Sequence, residues 1–285
     1  MDIRIRLMRQ EDVETCGRIC YEAFKSISEK HGFPPDFPSP DVAAGLLSHL
    51  LSHGDVYAIV AEDGGRVVGS NFLWETAAIA GVGPITVDPS VQNGAIGRRL
   101  MHEVITRAEE RLFAGVRLVQ AAYHNRSLSL YTKLGFDARE PLSAMQGEPL
   151  QIVMPGRDVR AATRGDVEAC NRLHVRIHGY ERLAELAEAI KQGTATVVEQ
   201  AGRITGYATQ LGFLGHAVAE SNEDMKALIG AAKSFDGPGF LVPTRNSDLF
   251  RWCLEKGLRV LMPMTLMSTG LYNEPKGAFL PSVIY

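Results

Sequence analysis

Two long stretches of this chain recur later in it, and that repetition limits its folds more than any other feature. Asp12-Val13-Glu14-Thr15-Cys16-Gly17-Arg18-Ile19 is echoed by Asp166-Val167-Glu168-Ala169-Cys170-Asn171-Arg172-Leu173. Each follows a short β-like stretch (residues 3–7 and 159–162) and opens a helix whose first turn suits an aspartate. Further on, residues 58–69 (AIVAEDGGRVVG) are echoed by residues 195–206 (ATVVEQAGRITG), and both read as strand, glycine hairpin, strand. Two long units point to duplicated domains rather than a solenoid, and 285 residues have room for two small domains. The Pro-Gly turn in Met154-Pro155-Gly156-Arg157 marks the expected junction, giving domains 1–155 and 156–285.

The first half carries a stretch that the second half lacks, ITVDPSVQNGAIGRRLM over residues 85–101. Ile85, Thr86 and Val87 favour a strand, and Asp88-Pro89 ends it because proline donates no backbone hydrogen bond. Ile96, Leu100, Val104 and Ile105 then form an apolar helical face. A small-residue turn running straight into a helix leaves several backbone N–H groups unpaired at the positive end of the helix dipole, which is a cradle for phosphate. It is not a P-loop, since Gly97 is followed by Arg98-Arg99 rather than Lys-Ser/Thr. Nor is it a dinucleotide fingerprint, which needs a third glycine besides Gly94 and Gly97 and an acidic residue after the next strand. An ordinary strand-to-helix turn is the alternative for this stretch alone.

A second block settles the choice. His124-Asn125-Arg126-Ser127-Leu128-Ser129-Leu130-Tyr131-Thr132-Lys133-Leu134-Gly135-Phe136 has near-helical apolar spacing and a glycine placed to end the helix. The Gln-x-x-Gly/Ala-x-Gly turn followed by this Asn…Ser-Leu-x-Leu-Tyr-x-Lys-x-Gly-Phe pattern resembles the GCN5-related N-acetyltransferase (GNAT) family, most specifically over residues 56–136. The resemblance implies an α/β fold of the α+β kind, each domain a mixed, mostly antiparallel twisted sheet flanked by helices. It implies acetyl-CoA as cosubstrate, bound by Ile85, Thr86, Val87, Gln92, Asn93, Gly94, Ala95, Ile96, Gly97, Arg98, Asn125 and Tyr131. The residue matching Asn125 contacts the pantetheine arm, and the one matching Tyr131 protonates the departing thiolate. Ala95 departs from the pattern, where a glycine is usual; alanine suits right-handed helical geometry and not a positive φ.

The same resemblance implies direct attack of an amine on the acetyl thioester. That chemistry asks for a base, a group polarising the thioester carbonyl and an acid for the thiolate. Pro84 has no N–H, so Ile85, Thr86 or Val87 must polarise the carbonyl. The strand before the turn has no carboxylate, which leaves Glu75 as first choice of base, then His124, then the C-terminal carboxylate of Tyr285, with water as the remaining option. In the family, the region matching the proline-rich loop His31-Gly32-Phe33-Pro34-Pro35-Asp36-Phe37-Pro38-Ser39-Pro40 borders the acceptor site; Phe33 and Phe37 either line that site or anchor the loop.

The second half diverges where chemistry would matter. Its counterpart of the cradle carries Glu220, Glu223 and Asp224, expected to repel a bound anion, and Cys253 stands where the first half has Tyr131. It reads as an acetyltransferase-like domain that has lost the cofactor. His174 and His178 are spaced for a metal on a helix face, yet no third ligand is in sight.

A net charge of −3 without a dense basic cluster argues against nucleic acid. No apolar run is long enough to span a membrane. Four cysteines without metal or redox spacing read as buried filler in a soluble, cytoplasmic protein. The expected function is transfer of acetyl from acetyl-CoA to an amine of a small molecule or peptide, with a homodimer left open. The rival readings are a non-catalytic acyl-CoA sensor and an inert scaffold.

Overall fold

The computed structural model describes residues 2–92 and 94–284. Asn93 and the Tyr285 carboxylate, both named above, lie outside the described residues. By contacts the chain divides into two units: residues up to 118 with 124–135 and Ile284, and residues 119–123 with 136–283.

The first unit runs β1 (Ile3–Leu7), α1 (Val13–Lys30), α2 (Pro40–Ser52), β2 (Val56–Asp63), β3 (Arg66–Trp74), β4 (Ile79–Val82), β5 (Thr86–Val87), α3 (Ile96–Glu110), the start of β6 (Gly115–Ala121) and α4 (Asn125–Lys133). The sheet order is β1-β2-β3-β4-β6. All neighbours are antiparallel except β4 and β6, and β5 pairs with β3. Alternation along β2 assigns the faces. Ala58 and Val60 join Cys16, Ile19 and Cys20 of α1 and Ala43, Leu47 and Leu50 of α2 in one buried cluster. Tyr57, one residue out of phase, faces α3, where its hydroxyl donates to Glu103 at 3.2 Å. Leu100, Met101 and Val104 of α3 are fully buried.

Helices α1 and α2 meet at Gly17, where a Cβ would lie 2.5 Å from both Cα and Cβ of Ala44. Gly17→Ala is therefore expected to destabilise the protein by about 1–3 kcal/mol through overpacking, although the same change in an uncrowded helix would stabilise by roughly 0.5–1 kcal/mol. The sign of the shift in urea midpoint checks the close approach.

The second unit runs β7 (Asp137–Gln146), β8 (Asp158–Ala161), α5 (Val167–His178), α6 (Leu183–Gln192), β9 (Thr196–Gln200), β10 (Arg203–Ala208), β11 (Ala217–Ala219), α7 (Asn222–Ala231), β12 (Phe240–Pro243), α8 (Ser247–Glu255), β13 (Arg259–Gly270) and β14 (Ala278–Leu280). Its strands are antiparallel, in the orders β13-β7-β12 and β14-β11-β10-β9-β8. Strand β7 precedes the turn at 154–157 but pairs with β13 and β12. The division by contacts therefore falls at 135/136, and the covalent junction expected at 155 is a different boundary.

The echo in sequence is an echo in structure. Arg6 donates to Asp12 (2.7 and 2.9 Å) and to Glu62 (2.8 Å). Arg160 donates to Asp166 (2.8 Å twice) and to Glu199 (2.9 Å). Asp12 and Asp166 each also accept a backbone N–H three residues upstream, from Arg9 and Thr163, both at 2.7 Å. Hydrogen bonds from the arginines hold both aspartates below the usual carboxylate range. Registers agree as well: Arg4 opposes Glu62 as Asp158 opposes Glu199. Each hairpin is bulged at the same place, at Val68 between Gly69 and Val67 and at Thr205 between Gly206 and Ile204.

Among the described residues, no helix is long and apolar enough to cross a membrane.

Candidate active site

The candidate residues converge where β5 runs out. Gly83 N–H donates to Phe72 O (3.0 Å), while Thr86 opposes Ser70. Pro84 and Ile85 therefore face the single residue Asn71, and the strand bulges there. Asp88 N–H donates to Val68 O at 2.9 Å. Because N–H directions alternate along a strand, Thr86 also points to β3 and Val87 points away. Of the three backbone donors expected to polarise a carbonyl, Val87 and the bulged Ile85 remain. Thr86 is spent on β3, with its hydroxyl 3.3 Å from that of Ser70. Among the described residues the parallel β4–β6 ladder ends at Gly81↔Arg117, so β5 carries on beside β3 alone.

A single helical turn, Pro89–Val91, leads to Gln92. Its Nε2 donates to Val87 O (3.3 Å) and its Oε1 accepts from Arg126 of α4 (3.2 Å). Gln92 thus ties strand end, loop and α4 together. Arg126 was missed in the sequence; its place in the first turn of the helix after Asn125 was the available signal.

Ala95 precedes α3 at φ 58°, ψ 12°, in the left-handed region that the sequence made unwelcome for alanine. The backbone here costs about 1–2 kcal/mol relative to a right-handed conformation. Among the described residues no side chain caps this helix, and no acidic residue stands in its first turn. The first N–H groups of a helix have no partner within it, so they face outward with the positive end of the dipole. Ile96 is buried and contributes only its N–H, whereas Gly94, Ala95, Arg98 and Arg99 are exposed. A Cβ on Gly97 would lie 3.7 Å from Leu130 of α4 and 3.8 Å from Val87, so α4 borders this turn directly.

Asn125 is the first residue of α4 and is exposed. Two turns on, Tyr131 is buried, and burial pushes its phenol up to about 12. It stays protonated across the physiological range. Gly135 closes the helix with φ 88°.

The expected bases fare differently. Glu75 is gripped by Arg107 at 2.7 and 3.1 Å, near the far end of α3. Eleven residues of helix separate Arg107 from Ile96, about 16 Å of rise, so Glu75 is withdrawn as a base. His124 caps α4: its Nδ1 accepts Ser127 N–H at 3.0 Å. Burial lowers its pKa, and with Nδ1 accepting, the neutral ring carries its proton on Nε2 and has no free lone pair to offer. His124 is a cap rather than a base.

The counterpart in the second unit is closed. Ser221 caps α7, its Oγ accepting Asp224 N–H at 3.2 Å. The three carboxylates expected to repel an anion are paired with cations instead: Glu220 with Arg176 and Arg203, Glu223 with Lys226 and Asp224 with Arg157. The helix end is filled by its own side chains rather than guarded by charge. Cys253 lies fully buried in the core, its thiol pushed up to about 12 by burial.

Comparison with known proteins agrees with this geometry. Residues 54–138 match the family model described as an acetyltransferase (GNAT) domain. An "IAA acetyltransferase" of Azospirillum brasilense is 29% identical over 107 residues, 36% of this chain and 69% of that protein. A candidate acetyltransferase from Pyrococcus horikoshii superposes with a TM-score of 0.73 at 16% identity, covering 99% of this chain and 92% of that one. A GCN5-related N-acetyltransferase from Sphaerobacter thermophilus gives 0.63 at 15% identity, over 95% and 96%. These two likenesses show a shared fold. Motif order, fold and family match together place a domain of the GCN5-related N-acetyltransferase (GNAT) family in the first part of this chain, over residues 54–138.

Proposed function

We propose that the first unit binds acetyl-CoA and transfers the acetyl group to an amine of a small molecule or peptide. The second half of the chain, residues 156–285, is then a second GNAT-like copy without a cofactor site, following a first copy over residues 1–155. The observation that carries this reading is the contrast between two equivalent helix ends: α3 is uncapped and free of acidic residues, and α7 is capped by Ser221 with Glu223 and Asp224 in its first turn.

Acetyl-CoA brings an activated thioester. The N–H groups at the start of α3 receive its diphosphate, and Asn125 meets the pantetheine arm. Val87 and Ile85 offer N–H groups to the thioester oxygen as charge develops on it. The amine nitrogen bonds to the acetyl carbon as the carbon–sulfur bond breaks, Tyr131 gives its proton to the sulfur, and the proton of the amine leaves to water and restores the phenol.

Calorimetric titration with acetyl-CoA, followed by thiol release with a panel of polyamines, amino acids and aminoglycosides, tests the reading. No binding of acetyl-CoA would sink it. Tyr131→Phe is expected to lower kcat by about 10–100-fold while the acetyl-CoA affinity stays within about threefold. An unchanged kcat would reduce Tyr131 to packing.

A further inference from the structure

The bulge at Pro84 and Ile85 leaves a gap in the ladder that a side chain fills. On one side of it Gly69 opposes Val87 and Ser70 opposes Thr86; on the other Leu73 opposes Val82 and Trp74 opposes Gly81. The register moves by one residue between them. Gly83 N–H still donates to Phe72 O at 3.0 Å, and in a regular antiparallel pair Phe72 would return that bond. Its N–H donates instead to Oδ1 of Asn71 at 2.9 Å, and Gly83 O accepts the Trp74 indole N–H at 3.3 Å.

Asn71 is fully buried, and both ends of its amide are used. While Oδ1 takes the Phe72 N–H, Nδ2 donates to Leu100 O of α3 at 3.2 Å and lies 3.7 Å from the Met101 sulfur. Leu100 stands one turn after Ile96, so the bond reaches the helix whose first N–H groups form the cradle. Without the amide, a buried backbone N–H beside the bulge and an α3 carbonyl both lose a partner.

The second unit has the same ladder without the amide. The repeat that matches Gly69 with Gly206 places Ala208 at the position of Asn71 and Thr209 at that of Phe72. Glu220 N–H donates to Thr205 O at 2.9 Å, as Asp88 N–H does to Val68 O in the first unit. Gly206, Tyr207 and Ala208 then oppose Ala219, Val218 and Ala217, and Thr209 N–H donates to His216 O at 2.9 Å. One register runs unbroken from Glu220 to His216. Where alanine replaces asparagine, the backbone N–H takes its ladder bond and the bulge is gone.

We infer that Asn71 is a positioning residue for acetyl transfer: it accepts the N–H that the bulge leaves without a ladder partner, ties the bulge to α3, and so holds Ile85 N–H where the thioester oxygen develops charge. The inference rests on the acetyl-transfer reading and adds to it the side chain that keeps the carbonyl-polarising backbone in place. Asn71 is itself buried and acts through Ile85.

The test uses the full chain as wild type, Asn71→Ala and Asn71→Leu. The first variant copies the second unit; the other keeps the bulk and removes both bonds, so agreement between them separates the amide from packing. Calorimetry with acetyl-CoA comes first, and affinity is expected to stay within about threefold. Failure of the wild type to bind would overturn the acetyl-transfer reading itself. Infrared difference spectra of bound acetyl-CoA, labelled with carbon-13 at the thioester carbonyl, then read the polarisation directly and need no acceptor. The wild-type band is expected below that of free acetyl-CoA, and in each variant it should move back toward the free position. With an amine that turns over, kcat should fall by about tenfold or more while the amine KM stays within about threefold. A loss of stability alone would not move the band of bound acetyl-CoA. A wild-type band at the free position, variant bands that stay at the wild-type position, or loss of acetyl-CoA binding in both variants would each overturn the assignment of Asn71.

Discussion

The Gly97→Glu protein is expected to keep its melting temperature and lose acetyl-CoA. The backbone at Gly97 tolerates a side chain: a Cβ there meets Leu130 and Val87 at 3.7 and 3.8 Å, ordinary contact distances. What changes is the charge at the mouth of α3. The uncapped N–H groups and the helix dipole make that end attractive to anions, and a carboxylate anchored in the first turn both occupies the N–H groups and repels a diphosphate. Like charges forced together cost several kcal/mol, which corresponds to an affinity loss of about 100-fold or more. Calorimetry with acetyl-CoA reads the loss and thermal unfolding reads the fold. Gly97→Ala supplies the control, since it adds the Cβ without the charge and should retain most of the affinity. Unchanged binding in Gly97→Glu would place the diphosphate elsewhere.

Much of this site was legible because it depends on neighbours in sequence. The strand, turn and helix at 85–101 fold from local propensity, and the Asn125–Tyr131 block from one helical period. The Arg6–Asp12 and Arg160–Asp166 pairs also span only six residues, and their recurrence is what the repeated octapeptides reflect. What failed was long-range or conformational. Glu75 looked available because Arg107 lies 32 residues away and approaches only once α3 packs on the sheet. The acidic residues near α7 looked repulsive because Arg157 and Arg176 come from other elements to meet them. Composition reports Ala95 as a small residue and says nothing of a φ of 58°. Strand β7 could not be assigned to β13 from its own residues, since that pairing joins segments more than a hundred positions apart.

The second unit should lose stability as the pH falls from 7 to 5, and its histidines are the reason. His174, His178 and His216 are buried together. His174 stacks on His178 with ring centroids 4.6 Å apart, and its Nδ1 lies 2.8 Å from Tyr180 O. His216 sits between the Tyr207 hydroxyl at 3.0 Å and Glu185 at 3.3 Å. Burial lowers His174 to about 3 and His216 to about 4, with Arg182 pushing the same way on both. Burial opposes the Glu185 charge, yet Arg182 and His216 outweigh it and keep that carboxyl ionised well below its usual range. The unfolded chain takes up protons on His174 and His216 from about pH 6.5 downward, while the folded unit does not protonate these two until pH 3–4. Each ring therefore costs roughly 2 kcal/mol between pH 7 and pH 5. The stability is present above the unfolded pKa and lost as pH falls toward the folded one. Carboxylates such as Asp166, held low by Arg160, add their own loss only at lower pH, so the window from 6.5 to 5 isolates the histidines. The chain's two tryptophans, Trp74 and Trp252, fall in different units. Trp74→Phe leaves Trp252, packed against the core of the second unit, as the single indole. Its urea midpoint should fall steeply between pH 7 and pH 5, and a midpoint that does not move would mean that the rings are already hydrated or charged in the native state.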